Sequence, residues 1–172
     1  GKPFSKKVFE ITNVKNLSLT IEKAFKISVN GRPGPVIISL PENMLEKKHI
    51  YKTIKPIKNI QIKPNLKKLN NVLKILENCN KPLIIIGGGD WNNEGAKDLV
   101  YFATKNNIPF AVSFRRQSLV DNANSNYIGD LSTSVDPKLT EQVKNADIIL
   151  AVGSRLGEMT TAGYSTLKIK DK

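Results

Sequence analysis

The sequence has 172 residues, of which 40% are hydrophobic and 24% charged. This composition is typical of a globular protein and argues against disorder of the whole chain. No apolar run approaches the roughly 20 residues of a membrane-spanning helix, so a membrane partner is not expected. The net charge of +12 is carried almost entirely by lysine. Because nucleic-acid readout favours arginine, the Lys/Asn/Ile bias is better explained by an AT-rich genome than by nucleic-acid binding.

A single cysteine and a single histidine limit the chemistry of the chain. Cys79 cannot form an internal disulfide, and no second Cys or His lies at metal-ligand spacing. A lone thiol fits the reducing cytoplasm best. His49 lies in a segment without regular periodicity, where a solvated side chain is the simpler interpretation. The first residues lack an initiator Met and an apolar signal segment. We therefore expect both ends to be cuts through a longer protein.

The first third of the chain predicts a helix followed by a strand. Apolar residues at positions 17, 21, 24, 25 and 28 have helical spacing, and Asn30-Gly31 suits the end of a helix. Residues 36–40 form a short β-branched run that predicts a buried strand, which Pro41 stops. Residues 43–63 lack clean periodicity and are predicted to be an extended linker between domains.

The remainder of the chain alternates between helical and strand patterns. Helices are predicted at residues 66–76, from 93 to about 107, and from 136 onwards; apolar strands are predicted at 83–86, 108–112 and 147–152, with a long loop at 113–135. This alternation predicts an α/β fold, a parallel sheet with helices on both faces. Ligands of such sheets bind at the carboxyl ends of the strands, where residues 87–92, 113–118 and 153–158 would lie.

Three segments at these strand ends are candidates for anion binding. Gly87, Gly88 and Gly89 would let the backbone approach a ligand and present N–H groups to it. The pattern is not G-x-G-x-x-G, however, Asp90 would repel a phosphate, and a tight strand-to-helix turn explains the glycines equally well.

The second segment is Gly153-Ser154-Arg155, in which the arginine could hold a diphosphate or a carboxylate, or could pair with Glu158. The third is Phe114-Arg115-Arg116-Gln117, whose adjacent arginines could clamp an anion only if both pointed the same way. The sequence has no Ser/His/Asp set, Cys/His pair or metal cluster, so we predict no catalytic residue and no metal ligand in this chain.

Longer segments resemble thiamine-diphosphate-dependent enzymes of the acetolactate synthase type. Residues 30–41, NGRPGPVIISLP, resemble the G-R-x-G-P-V-x-(L/I)-x-(L/I)-P segment that closes their pyrimidine-binding domain. Residues 81–89, KPLIIIGGG, resemble the first strand of their central domain, and residues 145–156, NADIILAVGSRL, resemble their A-D-x-(I/L)-(I/L)-x-(I/L/V)-G-(S/A/T)-R segment. The three segments occur in the order and at the spacing of that family.

The resemblance implies that residues 1–42 end the pyrimidine-binding domain, that 43–63 are the linker, and that 64–172 are a Rossmann-like, truncated central domain. It implies chemistry on 2-oxo acids or acyl donors, with thiamine diphosphate and Mg²⁺ bound outside this segment, and a homodimer or homotetramer. The chain alone would then be inactive. In acetolactate synthases the central domain binds FAD, so the resemblance implies a cofactor site at Gly87, Gly88, Gly89, Gly153, Ser154 and Arg155.

The residues depart from the family pattern at two places, one of which is Phe114-Arg115-Arg116-Gln117, where the family usually has a small, polar stretch. The family tends to have R-F-D-D-R where this chain has Arg155-Leu156-Gly157-Glu158. These differences favour a paralogue with another substrate. An independent NAD-type nucleotide-binding domain is the alternative, although the glycine fingerprint and the ribose-binding acid it needs are not matched. A basic nucleic-acid-binding domain would need clustered arginines and exposed aromatic residues.

Overall fold

A computed structural model describes residues 2–51, 63–89 and 91–167. The chain divides into two compact units, Gly1–Lys63 and Pro64–Lys172, which we call the N-terminal and the C-terminal unit. No helix in these described ranges is both long and apolar enough to cross a lipid bilayer.

The N-terminal unit is a small β-α-β arrangement. Strand β1 (Lys7–Glu10) pairs in parallel with β2 (Val36–Ser39), and helix α1 (Leu17–Val29) connects them. The predicted helix and the predicted strand are therefore present, whereas β1 was not predicted. Ala24 is the buried residue of α1, and Ile11, just after β1, is also buried. Gly31 has a φ of +61°, so the glycine takes the left-handed position after α1.

The predicted extended linker begins differently from the expectation. Glu42–Leu45 form a short helix, α2, whose Met44 is buried. These four residues are too few to show a helical period in the sequence. Burial of the Met44 side chain makes the short helix part of the N-terminal unit. Residues 52–62 of the predicted linker lie outside the described residues.

The C-terminal unit is built on a four-stranded parallel sheet. Its elements in chain order are α3 (Leu66–Glu77), β3 (Pro82–Ile86), α4 (Asn93–Lys105), β4 (Phe110–Ser113), β5 (Tyr127–Leu131), α5 (Pro137–Asn145) and β6 (Ile148–Val152). The strand order is β5-β4-β3-β6, and every neighbouring pair is parallel. Helices and strands that were predicted in this unit are present within a few residues of their expected ends.

Both faces of the sheet are covered by apolar side chains. Leu83 and Ile85 of β3 belong to a buried cluster with Leu139 and Val143 of α5. The alternate residues of β3, Ile84 and Ile86, belong to a second cluster that includes Ala103 of α4. A strand that is buried on both faces must be apolar at every position, which explains the continuous run of residues 83–86. The predicted fold class is thereby confirmed.

The predicted long loop at residues 113–135 was wrong in part, because it contains an edge strand. Strand β5 pairs with β4, with an irregularity in register between Phe110 and Val112, and a 3-10 turn precedes it at Gln117–Leu119. Gly129, with a φ of +124°, and Asp130 lie inside the strand. These two residue types are depleted in strands and interrupt the apolar pattern, and pairing to β4 overrides their low propensity.

The carboxylate of Asp147, just before β6, hydrogen-bonds to the residues just before β3. Asp147 accepts hydrogen bonds from the backbone N–H groups of Asn80, at 2.6 Å, and Lys81, at 2.9 Å. The hydrogen bond from Asn80 is the largest cause of a lowered pKa of Asp147, and burial opposes it. The ionised carboxylate therefore stabilises the junction between these two neighbouring strands.

Replacing this carboxylate should produce a pH-dependent loss of stability. Since the pKa of Asp147 is lower in the folded chain than the ordinary 3.8, its contribution is complete above about pH 4 and disappears as the pH falls through the folded pKa. We expect Asp147→Asn to lower the urea midpoint at neutral pH and to approach the wild type in acid. Asp98→Asn, at an exposed position of α4, is the control. A difference between wild type and Asp147→Asn that grows in acid would contradict the assignment.

Candidate functional site

The candidate site lies where the order of the strands reverses. From β3 the chain proceeds outward to β4 and β5, and it then returns to form β6 on the other side of β3. The loops after β3 and β6 therefore leave neighbouring strands at a topological switch point, the usual ligand position in such folds. Residues 87–89 follow β3 and residues 153–155 follow β6. The structure thus brings together the two segments that were predicted from the sequence.

Two of the six predicted site residues bring the backbones of these loops into contact. Gly88 and Gly153 have left-handed φ angles of +76° and +71°. A Cβ atom on Gly88 would overlap the carbonyl oxygen of Gly153, and one on Gly153 would overlap the carbonyl oxygen of Gly87. Both positions need glycine for conformation and for space. Their immediate role in the described structure is contact between the two loops.

Gly87 is where the ends of three strands meet. It is buried, and its backbone N–H donates to the Val152 carbonyl of β6 at 2.9 Å. A Cβ atom here would overlap the Ser113 hydroxyl at the end of β4 and would lie 2.9 Å from Cβ of Ser154. The Ser154 hydroxyl accepts a hydrogen bond from the Leu156 N–H at 3.1 Å, which shapes the loop after β6. Gly87 thus packs against Ser113 and Ser154, and Ser154 also hydrogen-bonds within its own loop.

Trp91 was not singled out from the sequence, although it lies between the two loops. Its indole N–H donates to the Gly87 carbonyl at 2.7 Å. A Cβ atom on Gly153 would lie 3.2 Å from the indole nitrogen, so the ring covers that glycine as well. The available signal was its position as the chain's one tryptophan, five residues after Ile86, the buried last residue of β3. A tryptophan at this place reports on both loops by fluorescence.

The open part of the site consists of Gly89 and Arg155. Space for a Cβ atom at Gly89 is free of other atoms within 4 Å. Arg155 is exposed, and the described part of the chain offers it no ion-pair partner. One N–H at the amino end of α4 is already satisfied, because the Asn92 side chain accepts from the Gly95 N–H at 2.7 Å. An anion here would therefore meet Gly89 and Arg155 more readily than the start of α4.

In the arginine pair after β4, the side chain of Arg115 contacts its neighbour Phe114. Arg115 has a left-handed φ of +59°, and its guanidinium carbon lies 4.9 Å from the centroid of the Phe114 ring. Gln117 donates from its side-chain amide to the carboxylate of Asp130 in β5. The stacked position of Arg115 uses its planar face for a cation–π contact. Because its guanidinium lies over the Phe114 ring, Arg115 is less available for a joint clamp with Arg116.

Ionisable groups around the site give no metal centre in the described ranges: no group of three or more His, Cys, Asp or Glu side chains there could hold a metal ion. Away from the site, at the first residue of β5, burial and the neighbouring Asp130 raise the pKa of Tyr127. Its hydroxyl stays protonated at neutral pH and contributes no charge.

The comparison with known families decides what this arrangement belongs to. Residues 69–172, more than half of the chain, match the family described as "Thiamine pyrophosphate enzyme, central domain". The chain belongs to this family. The resemblance found in the sequence is therefore confirmed, and the four-stranded parallel sheet with its switch point is part of a thiamine pyrophosphate enzyme central domain.

Curated relatives of this thiamine pyrophosphate enzyme chain carry several names. It is 30% identical to the acetolactate synthase large subunit of Buchnera aphidicola subsp. Schizaphis graminum over 94% of its length and 29% of the relative's. It is 27% identical to oxalyl-CoA decarboxylase of Escherichia coli K12 over 95% of its length and 29% of the relative's. A trihydroxycyclohexane-dione hydrolase of Geobacillus thermodenitrificans is 29% identical over 75% of the chain. The chain therefore spans less than a third of the length of these relatives.

Proposed function

We propose that this chain is part of a thiamine-diphosphate-dependent enzyme that makes or breaks carbon–carbon bonds in 2-oxo acids or acyl donors. The match of residues 69–172 to the central domain carries the proposal. Residues 1–42 would end the pyrimidine-binding domain, 43–63 would be the linker, and 64–172 the central domain. Thiamine diphosphate, with Mg²⁺, supplies the carbanion chemistry in the full-length enzyme, a cytoplasmic homodimer or homotetramer. The chain alone would be inactive.

Within that enzyme the central domain would act as a scaffold and as the site of a nucleotide. FAD and coenzyme A both contain an ADP group, and the name of one relative includes a CoA ester. The fit rests on two features of the switch point: the open space at Gly89 and the exposed guanidinium of Arg155. The Gly89 N–H and Arg155 would hold the diphosphate, whereas Gly87, Gly88, Gly153 and Ser154 would position the loops that carry them.

The capped start of α4 shapes this proposal. In dinucleotide-binding folds the diphosphate usually meets free N–H groups at a helix amino terminus. Asn92 already satisfies the N–H of Gly95, and the Trp91 indole lies against Gly87 and Gly153. Removal of the Arg155 charge should therefore weaken binding more than it would in a site where a helix amino terminus shares the phosphate.

Titration of the chain with FAD, followed by Trp91 fluorescence, tests the proposed site. We expect Arg155→Gln to weaken binding by about tenfold, because a hydrogen bond to a charged group contributes about 1.5–3 kcal/mol. Arg32→Gln removes an arginine from the N-terminal unit and should leave the affinity unchanged.

ADP, coenzyme A and NAD are the comparison ligands. Binding of ADP or coenzyme A that matches FAD would identify the shared ADP group as the recognised part. Selective binding of NAD would favour an independent nucleotide-binding domain over the proposal. An unchanged affinity of Arg155→Gln for FAD would show that FAD does not bind at the loops of the switch point.

A further inference from the structure

A cavity in the N-terminal unit is lined by residues other than those described at the switch point. Its volume is about 350 Å³. Val14, Leu17 and Ile21, from the first turns of α1 and the residues before them, form its apolar wall. The volume falls at the lower end of the range of small-molecule pockets in proteins. A cavity of this size suits a compact organic ligand better than a peptide or a nucleotide.

The polar part of the wall is available to a ligand. Ser18 of α1 and Lys47, His49 and Tyr51 of the later segment complete the lining. In the described part of the chain, none of these four side chains has a hydrogen-bond or ion-pair partner. Lys47, His49 and Tyr51 are exposed to water, which a bound molecule could replace. An apolar wall with a few unpaired polar groups is the usual composition of a ligand pocket.

The charge of the side chains that line the cavity favours a ligand of negative charge. Lys47 is positive, and the described residues of the lining include no acidic side chain. The first turn of α1 contains no acidic residue either, and its N-cap, Asn16, makes no side-chain capping hydrogen bond. All of these contributions favour an anion and disfavour a cation.

We propose that this cavity binds a small organic monoanion with an apolar body, of the chemical class of medium-chain carboxylates. The carboxylate would pair with the Lys47 ammonium, and the chain would lie against Val14, Leu17 and Ile21. All of the described lining residues belong to the N-terminal unit. The inference is therefore independent of the proposed nucleotide site and of the reaction of the full-length enzyme.

Octanoate is the probe for this proposal, and ¹H–¹⁵N correlation spectra of the whole chain are the readout. We expect saturable shifts of the amide signals of Leu17, Ser18 and Ile21, with the signals of Gly89 and Trp91 unchanged. Lys47→Gln should weaken octanoate binding about fivefold or more, because the charge-assisted hydrogen bond is lost. Lys23→Gln, at an exposed position of α1 outside the lining, is the matched control and should bind normally.

A neutral ligand of the same length separates charge from apolar contact. We expect 1-octanol to bind about fivefold more weakly than octanoate. Equal binding of the two ligands, or an unchanged affinity of Lys47→Gln, would overturn the anion assignment. Absence of saturable shifts with octanoate would overturn the cavity as a binding site. Since Lys47 is exposed, its substitution should leave the far-UV circular dichroism spectrum unchanged.

Discussion

Gly88→Ala is expected to destabilise the C-terminal unit by about 3 kcal/mol or more. Two effects add at this position. An L-residue in the left-handed region costs about 1–2 kcal/mol, and Gly88 has a φ of +76°. The new methyl group would also overlap the carbonyl oxygen of Gly153. That oxygen belongs to the backbone, so relief of the overlap requires the loops after β3 and β6 to separate.

The neighbouring glycine provides the control. Gly89→Ala adds the same methyl group where no described atom beyond its two chain neighbours lies within 4 Å, and we expect a change of less than about 0.5 kcal/mol. Urea unfolding followed by Trp91 fluorescence measures both variants, because the one tryptophan belongs to the affected unit. Equal destabilisation by the two substitutions would show that the contact with Gly153 is not the cause.

The parts of the fold that sequence reasoning predicted have strong local patterns. Residues 83–86 are apolar at every position, because β3 is the strand between two neighbours and is covered on both faces. Helix α4 is capped by Asn92, and helix α5 by Asp136 with a proline in its first turn. Such signals act within a few residues and can therefore be found without knowledge of the tertiary structure.

The strands that were missed obtain their structure from a partner. Strand β1 has only Val8 and Phe9 between charged residues, and its ladder is completed by β2. Strand β5 contains Gly129 and Asp130 and pairs with β4 through an irregular register. Both sequences lack a strong strand preference. Pairing with a neighbouring strand supplies the hydrogen bonds that local propensity does not predict.

The candidate site shows the same limit at the level of single residues. Three consecutive glycines predicted close backbone approach, but the sequence did not show what would approach. Gly88 meets Gly153, which is distant along the chain, whereas Gly89 is open. The contribution of Trp91 likewise depends on the loop after β6 being adjacent. Contacts between distant segments decide these roles, and the pattern of one segment does not contain that information.

Phe110→Ala should cause the largest loss of stability among core substitutions, about 3–5 kcal/mol. Phe110 is fully buried, and its ring centroid lies 5.9 Å from that of Tyr127. It is opposite Ile84 in β3 and opposite Tyr127 in β5, so one side chain connects three strands of the sheet. Alanine would leave a cavity at this position and remove the aromatic contact.

Tyr101→Ala serves as the comparison, because the Tyr101 side chain is 66% exposed on α4 and should lose less than about 1 kcal/mol. Urea unfolding gives the total change for each variant, and amide exchange locates it. If Phe110 holds the edge strand, exchange at Ile128 and Leu131 should accelerate more than exchange at Leu83 and Ile85. Uniform acceleration across the sheet would instead show that Phe110 stabilises the unit as a whole and that β5 does not depend on it in particular.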